Sequence, residues 1–261
     1  MTNFEKESSA VKSILPAISD ILLKYFKSSL DVEYKAGAFS PVTLADKEAE
    51  KLIRETLSKK FPTYGFIGEE TEEEAKDVSW IVDPLDGTAA FIHGLEDFGI
   101  AIALKVDSEI ILSYLHIPVK NLTYHAEIGK GSFCNNQSVR VSNVSDAKYS
   151  LLSFGYENLR DKQNQAPSLR LATKHRIRIG HSSLIESTYL SSGKIDGILK
   201  FNQKIWDIAP EYLIMKEAGA KISDLEGKDV VFKYNKDSQL SYFCSNGLIH
   251  DEIIDILNSS V

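Results

Sequence analysis

The sequence predicts a layered α/β fold with two unlike halves, and three patterns predict it. Apolar residues recur at helical spacing over residues 4–28 and again over 44–60. Strand-like runs at 98–105, 110–117, 121–127 and 131–134, separated by turn residues, then follow one another as an antiparallel meander. From residue 150 onward, strands and helices alternate. An α+β half over about 1–148 and an α/β half over about 149–261 are expected within a single domain, which 261 residues suffice to build.

The elements follow in order. Val11, Ile14, Leu15, Ile18, Leu22, Tyr25 and Phe26 form the apolar face of a first helix, and Pro16 within it predicts a bend or a restart. Residues 31–42, with Lys35, Gly37 and Pro41, read as a loop or short hairpin. Thr43 is placed to cap a second helix with Ala45, Leu52, Ile53 and Leu57 inward, and Pro62 to end it. Tyr64 to Ile67 reads as a short strand and 71–77 as an exposed acidic loop. Trp80 to Val82 reads as a buried strand stopping at Asp83, with a helical turn near 88–93. In the second half, strands are expected at 150–154, 176–180 and 195–199, near 221 and at 241–244, and helices at 166–174, 182–192, 206–218 and 247–258. The charged stretch 157–166 reads as a flexible connection between the halves.

Composition excludes several classes of function. Thirty basic against 37 acidic residues, a net charge of −7, argue against a nucleic-acid polymer as partner. The acidity fits either a site that collects carboxylates or plain solubility. Cys134 and Cys244 are far apart and form no C-x-x-C pair, so buried reduced thiols are expected rather than zinc or a disulfide framework. The charged N-terminus and the lack of any long apolar run lead to the expectation of a cytoplasmic protein without a membrane partner.

The chemistry is concentrated in Asp83-Pro84-Leu85-Asp86-Gly87-Thr88. Two acids at the mouth of a buried strand are costly to desolvate unless a positive charge sits between them, and hard divalent cations take such oxygens. Gly87 and Thr88 offer backbone N–H groups where a helix begins, a place suited to phosphate. Metal carboxylates beside a phosphate cradle point to metal-assisted hydrolysis of a phosphate ester. Glu69 and Glu70 after a strand, Asp207 after Trp206 and Asp46 after Thr43 repeat the pattern of an acid at a strand end or helix start. Taken alone, Asp207 reads equally as a helix cap. Aspartyl-nucleophile phosphatases space their two acids two residues apart rather than three, and neither a calcium-binding EF-hand loop nor a glycine-rich triphosphate loop is present.

The set Gly68-Glu69-Glu70, Asp83-Pro84-Leu85-Asp86-Gly87-Thr88 and Trp206-Asp207 resembles the inositol monophosphatase family, whose superfamily includes fructose-1,6-bisphosphatases, 3′-phosphoadenosine nucleotidases and a class of histidinol-phosphatases. Ser40 to Asp46 and Glu217-Ala218-Gly219-Ala220 extend the likeness over nearly the whole chain. The resemblance implies a five-layer αβαβα sandwich. It implies Glu69, Asp83 and the Leu85 carbonyl as ligands of a first Mg²⁺, and Asp83, Asp86 and Asp207 as ligands of a second, with a weaker third ion near Glu69 in family members. It implies phosphate on the Gly87 and Thr88 N–H groups. Asp46 and Thr88 would orient and deprotonate the attacking water, Glu69 would count with them among the catalytic residues, and Glu70 would support the ligands. Inhibition by Li⁺ and a homodimer are implied in the same way.

The alcohol half of the substrate is less legible. In inositol-selective members a glutamate seven residues before the Trp-Asp aspartate contacts hydroxyls; here that position is Lys200. Lys200 reads either as a residue that attracts a second anionic group, favouring a bisphosphate or nucleotide or relaxing selectivity, or as a solvated lysine that touches nothing. Gly180-His181-Ser182-Ser183 matches another substrate-facing stretch in which His181 departs from the usual pair, with Ser182 placed to cap the next helix. Arg170, Lys174, His175, Arg176 and Arg178 read as a draw for a second phosphate or as a solvated face, and His93 as structural. Lys35 matches a segment that closes over the metals in relatives, so residues 31–42 are expected to order on binding metal or substrate. The expected activity is Mg²⁺-dependent hydrolysis of a small phosphate monoester, inositol 1-phosphate first. Bisphosphate nucleotidase, fructose-1,6-bisphosphatase and a metal-stabilised partner-binding scaffold without turnover are the alternatives.

Overall fold

A computed structural model of the chain describes residues 4–26, 32–34 and 41–259. The first apolar stripe becomes the buried face of α1 (Glu5–Phe26). The helix runs on through Pro16, which lies on the exposed side, where the carbonyl left without a donor is open to solvent. β1 (Val32–Tyr34) and β2 (Pro41–Thr43) pair antiparallel as the short hairpin expected. The expectations placed on Lys35, Gly37 and Ser40 lie outside the described residues. α2 (Leu44–Lys60) starts at Thr43, whose Oγ1 accepts the Ala45 N–H at 3.1 Å while Asp46 reaches back to the Thr43 N–H at 2.8 Å.

A seven-stranded sheet follows, built in sequence order from β3 (Gly65–Gly68), β4 (Val78–Asp86), β5 (Gly99–Val106), β6 (Glu109–Ile117), β7 (Leu122–Glu127), β8 (Ser132–Cys134) and β9 (Gln137–Val139). β3 and β4 are parallel and every later pair is antiparallel, so the meander is as expected, with β9 added to it. The short α3 (Thr88–Ile92) interrupts the run between β4 and β5.

The second half opens with β10 (Leu151–Gly155). The expected flexible connection is instead two helices, α4 (Glu157–Arg160) and α5 (Lys162–Ala172). Buried Asn158 ties α4 down by donating to the Leu199 carbonyl at 3.0 Å, and the Asp161 side chain caps α5. β11 (Arg176–Gly180), α6 (Ser183–Ser191), β12 (Gly197–Lys204), α7 (Ile205–Glu217), β13 (Lys221–Ser223), β14 (Gln239–Ser245) and α8 (His250–Asn258) complete the chain. The second sheet has the order β11-β10-β12-β14-β13, with β10 parallel to both its neighbours.

Four apolar clusters show how the layers stack. Ile18 and Ile53 of α1 and α2 meet Trp80 and Ile102 on one face of the larger sheet. Ile81 and Leu115 on the other face meet Leu184 of α6 and Leu213 of α7. The far sides of those helices, through Leu190 and Met215, cover Ile198 and Tyr242 of the smaller sheet. Phe154 and Phe243 on its outer face meet Leu171 of α5 and Ile253 of α8. The result is the expected αβαβα sandwich, with α6 and α7 as the central layer. Cys134 and Cys244 are free thiols, Cys244 buried and Cys134 half-buried. Among the described residues no helix is long and apolar enough to cross a membrane.

Candidate active site

The strand expected to stop at Asp83 continues to Asp86. Residues three apart on a regular strand face opposite sides. Here Asp83 lies opposite Ala101 and Asp86 opposite Gly99, so three steps on β4 match two on β5. That bulge changes the parity and lets both carboxylates line one cavity of about 190 Å³. Glu69, the Leu85 backbone, Gly87, Thr88, Ser183, Lys200 and Asp207 line it too. The Leu85 N–H donates to Asp83 Oδ1 at 2.9 Å. Gly87 has φ +83°, and a Cβ there would crowd Ser182 Cβ at 3.0 Å and overlap the Asp97 carbonyl, so the turn into α3 requires glycine. The first hydrogen bond within α3 is Phe91 N–H to Gly87 O at 2.9 Å, so the N–H groups of Gly87 and Thr88 precede the helical ladder.

α2 delivers Asp46 to the edge of this cavity. Asp46 Oδ2 accepts from Thr43 N–H at 2.8 Å and Thr43 Oγ1 at 2.7 Å, which turns Oδ1 toward Thr88. The single Thr88 hydroxyl proton is offered to the Leu85 carbonyl at 3.0 Å and to Asp46 Oδ1 at 3.3 Å. Burial raises Asp46 to about 6, against the pull of the Thr43 hydrogen bonds.

The far wall comes from the central layer. Asp86 Oδ2 accepts from the Leu184 N–H at 2.7 Å, Ser183 Oγ at 3.1 Å and Ser182 Oγ at 3.4 Å. Ser182 Oγ also caps α6, accepting the Ile185 N–H at 3.2 Å. Both serines expected to face substrate are thus engaged with Asp86. Asp207, in the first turn of α7, accepts the Lys204 N–H at 3.0 Å and lines the cavity, so it caps and faces the site at once. Burial and the charge of Asp86 raise Asp207 to about 7. Burial, then Glu69, Asp86 and Asp207, push Asp83 well above the carboxylate range.

Lys200 is 3 % exposed, so it is not the solvated lysine of the alternative reading. It is ion-paired with buried Glu186 and lies 3.7 Å from Glu157 Oε1. Burial disfavours its charge, but the surrounding carboxylates outweigh burial and hold it above its ordinary value. His181 lines the cavity, with its ring 5.6 Å from that of Tyr156. The basic run is divided: Arg170 donates to the Leu257 carbonyl, Arg178 faces Asp97 and Glu186, and Lys174 and Arg176 are exposed. His93 is exposed at the end of α3.

The model of the inositol monophosphatase family matches residues 5–261. The chain belongs to that family. A fructose-1,6-bisphosphatase/inositol-1-monophosphatase of Thermotoga maritima is 34% identical over 95% of this chain and 94% of its own length. An inositol-1-monophosphatase of Rhizobium meliloti is 36% identical over 76% of this chain and 77% of its own. The solved structure of a Thermotoga maritima IMPase superposes with a TM-score of 0.87 at 32% identity, covering 98% of this chain and 97% of that one. As a member of the inositol monophosphatase family, the chain is a metal-dependent phosphoric monoester hydrolase.

The cavity fits that metal dependence. Glu69, Asp83, Asp86, Glu157 and Asp207 bring five carboxylates to it, and among the described lining residues the one lysine or arginine is Lys200, already matched by Glu186. The acids line the walls without closing into a cluster of three or more metal-ready ligands among the described residues, and their mutual repulsion is what a hard divalent cation relieves.

Several supporting residues of the inositol monophosphatase site escaped the sequence reading. Glu50, one turn beyond Asp46 on α2 and fully buried, accepts the N–H groups of Glu70 at 2.8 Å and Thr71 at 2.7 Å, fixing the loop that carries Glu69. Its i, i+4 spacing from Asp46 was the available signal. Lys236 donates to the carbonyls of Glu69 and Thr71 and lies 5.5 Å from the Trp206 ring, joining two stretches of the site. Glu211, one turn after Asp207, is 2.6 Å from Ser183 Oγ. Burial first and the Asp86 charge next push Glu211 well above its usual range, against the pull of the hydrogen bond that Ser183 Oγ donates to it.

Proposed function

We propose that this chain hydrolyses inositol 1-phosphate in the cytoplasm, with Mg²⁺ held by Glu69, Asp83, the Leu85 carbonyl, Asp86 and Asp207. The observation that carries the reading is Thr88 on the wall of the carboxylate-lined cavity with Asp46 directly behind it. Bound there, Mg²⁺, expected as two ions with a third near Glu69, would neutralise the phosphate, lower the pKa of water and stabilise the leaving alkoxide. The chain's residues do the rest. The N–H groups of Gly87 and Thr88 orient the phosphate oxygens. Thr88 Oγ1 aligns the attacking water by accepting a hydrogen bond from it, and the proton passes toward Asp46 Oδ1. The Thr43 hydrogen bonds hold the other oxygen of Asp46, so the accepting oxygen stays aimed at Thr88. Glu70 and Glu50 keep Glu69 in place, and Ser182 and Ser183 keep Asp86 in place.

Like its family, the protein is expected to be a homodimer inhibited by Li⁺. The test is phosphate release from inositol 1-phosphate, adenosine 3′,5′-bisphosphate, fructose 1,6-bisphosphate and histidinol phosphate, each with Mg²⁺, with EDTA and with added Li⁺. The expected result is Mg²⁺-dependent release, fastest per unit KM on inositol 1-phosphate and suppressed by EDTA and Li⁺. A clear preference for the nucleotide or the sugar bisphosphate would transfer the assignment to that substrate. Folded, metal-bound protein silent on all four would favour the partner-binding scaffold.

A further inference from the structure

We infer that Glu157, held in place by Lys200, is the residue that reads the alcohol half of the substrate, and that it selects a polyhydroxylated monophosphate against a bisphosphate. The inference rests on the phosphomonoesterase reading above and adds a residue and a substrate class to it.

β10, β11 and β12 are three parallel neighbours, and α/β folds place ligands at the carboxyl ends of such strands. Two glycines end β10 and β11, with Gly155 directly opposite Gly180. Each makes room for one carboxylate: a Cβ on Gly155 would overlap both Glu157 oxygens, and a Cβ on Gly180 would overlap the Glu186 carboxylate. Lys200 of β12 lies between the two acids, ion-paired with Glu186 and 3.7 Å from Glu157 Oε1. A register shift in β12 between Lys200 and Gln203 again sets three steps against two, and both side chains line the cavity. The same device brings Asp83 and Asp86 to it from the opposite wall.

The two acids differ in access. Glu186 is fully buried and also accepts from Ser153 Oγ at 2.6 Å, so it is committed to the interior. Glu157 is 30 % exposed and lines the cavity. Glu186 is met by Lys200 and, at 3.7 Å, by Arg178 Nη1, so its charge is matched in the interior, and Glu157, 3.7 Å from Lys200, is the acid of the group that faces the cavity. Lys200 therefore offers a second phosphate little net attraction, while Glu157 repels it and accepts hydrogen bonds from hydroxyl groups. Glu157 touches substrate; Lys200 is a positioning residue.

The experiment compares kcat/KM on inositol 1-phosphate and fructose 1,6-bisphosphate, in Mg²⁺, for the wild type, Glu157→Gln, Glu157→Ala and Lys200→Met. Glu157→Ala is expected to lower kcat/KM on inositol 1-phosphate by about tenfold to a hundredfold, the scale of a hydrogen bond to a charged group, mainly through KM. On the bisphosphate the value holds or rises, so the ratio moves toward the bisphosphate by at least about tenfold. Glu157→Gln keeps the shape, loses the charge and moves the ratio the same way. Lys200→Met is expected to raise KM on inositol 1-phosphate, because Glu157 is no longer held, without moving the ratio toward the bisphosphate, because the carboxylates lose their ammonium. Thermal midpoints verify folding, and Glu157→Gln carries the test where Lys200→Met unfolds the chain by taking the ammonium from buried Glu186. An unchanged ratio in the Glu157 variants, an equal loss on both substrates, or a wild type that prefers the bisphosphate overturns this inference. A wild type that releases phosphate from neither overturns the reading beneath it instead.

Discussion

Thr88 Oγ1 donates toward Asp46 Oδ1 across 3.3 Å, although the two residues are 42 positions apart in the chain. One comes from the start of α3 and the other from the start of α2, so the pair exists only because both helices begin at the same cavity edge. Asp46→Asn and Thr88→Ala are each expected to lower kcat by about 10²- to 10⁴-fold, the range of general-base assistance, with little change in KM. The double variant should be no slower than the worse single one, since a hydroxyl without its carboxylate and a carboxylate without its hydroxyl fail at the same step. Steady-state phosphate release measures all three. Additive losses would mean that the two residues act separately.

The cluster of buried acids makes metal-free stability fall with pH. Asp207, raised to about 7, and Asp83, raised well above its ordinary value by burial and its acidic neighbours, bind protons more tightly in the folded chain than in the unfolded one, where aspartate titrates near 3.9. The folded state then carries the extra protons, and stability is lost as pH rises through the folded values. His116 and His250, lowered to about 4 chiefly by burial, act in the opposite sense, but only up to the unfolded histidine value near 6.5. The clean window is therefore pH 6.5 to 8, where a loss on the order of 1–2 kcal/mol is expected in EDTA. Mg²⁺ should reverse the slope, because it competes with those protons. Urea midpoints at both pH values, with EDTA and with Mg²⁺, decide it; metal-free protein more stable at pH 8 would contradict the charge cluster.

Glu50 bears on metal affinity without facing the cavity. Its carboxylate accepts the N–H groups of Glu70 and Thr71, and Gly68 leaves the space that the carboxylate fills. Glu50→Ala removes both acceptors and is expected to cost about 2 kcal/mol of stability. It should also raise the Mg²⁺ concentration needed for half-maximal thermal stabilisation by about tenfold, as the loss of ligand support usually does. An unchanged Mg²⁺ requirement would make Glu50 a fold residue only.

Local chemistry was legible in the sequence, and parity across strands was not. The stripe from Val11 to Leu22, the Thr43 cap and the meander after Phe98 each depend on neighbours a few residues away, and each forms as expected. The bulges at Asp83–Asp86 and Lys200–Gln203 are set by the opposing strands β5 and β14, which a single strand's sequence does not encode. Residues 157–166 read as a connection because the stretch is charged; α4 is instead anchored by a polar side chain, Asn158, on the Leu199 carbonyl. Lys200 looked solvated or anion-seeking for a similar reason. Its partners Glu157 and Glu186 come from two other elements, at separations of 43 and 14 residues (200 − 157 and 200 − 186).

Asp83 separates stability from function most sharply. It is buried at 3 % exposure, accepts the Leu85 N–H on Oδ1, and is repelled by Glu69, Asp86 and Asp207. Asparagine keeps the shape and the acceptor oxygen but removes one of four crowded charges. In EDTA at pH 8, Asp83→Asn is therefore expected to be more stable than the wild type, by about 1–2 kcal/mol. The same change removes the carboxylate proposed to serve both metals, so Mg²⁺ should stabilise the variant less than the wild type, and phosphate release should fall by roughly 10³-fold or more. Thermal melts with EDTA and with Mg²⁺, beside a turnover assay, test both halves. A variant that is less stable without metal would mean that Asp83 holds the fold through Leu85. A variant that still turns over would remove it from the metal site.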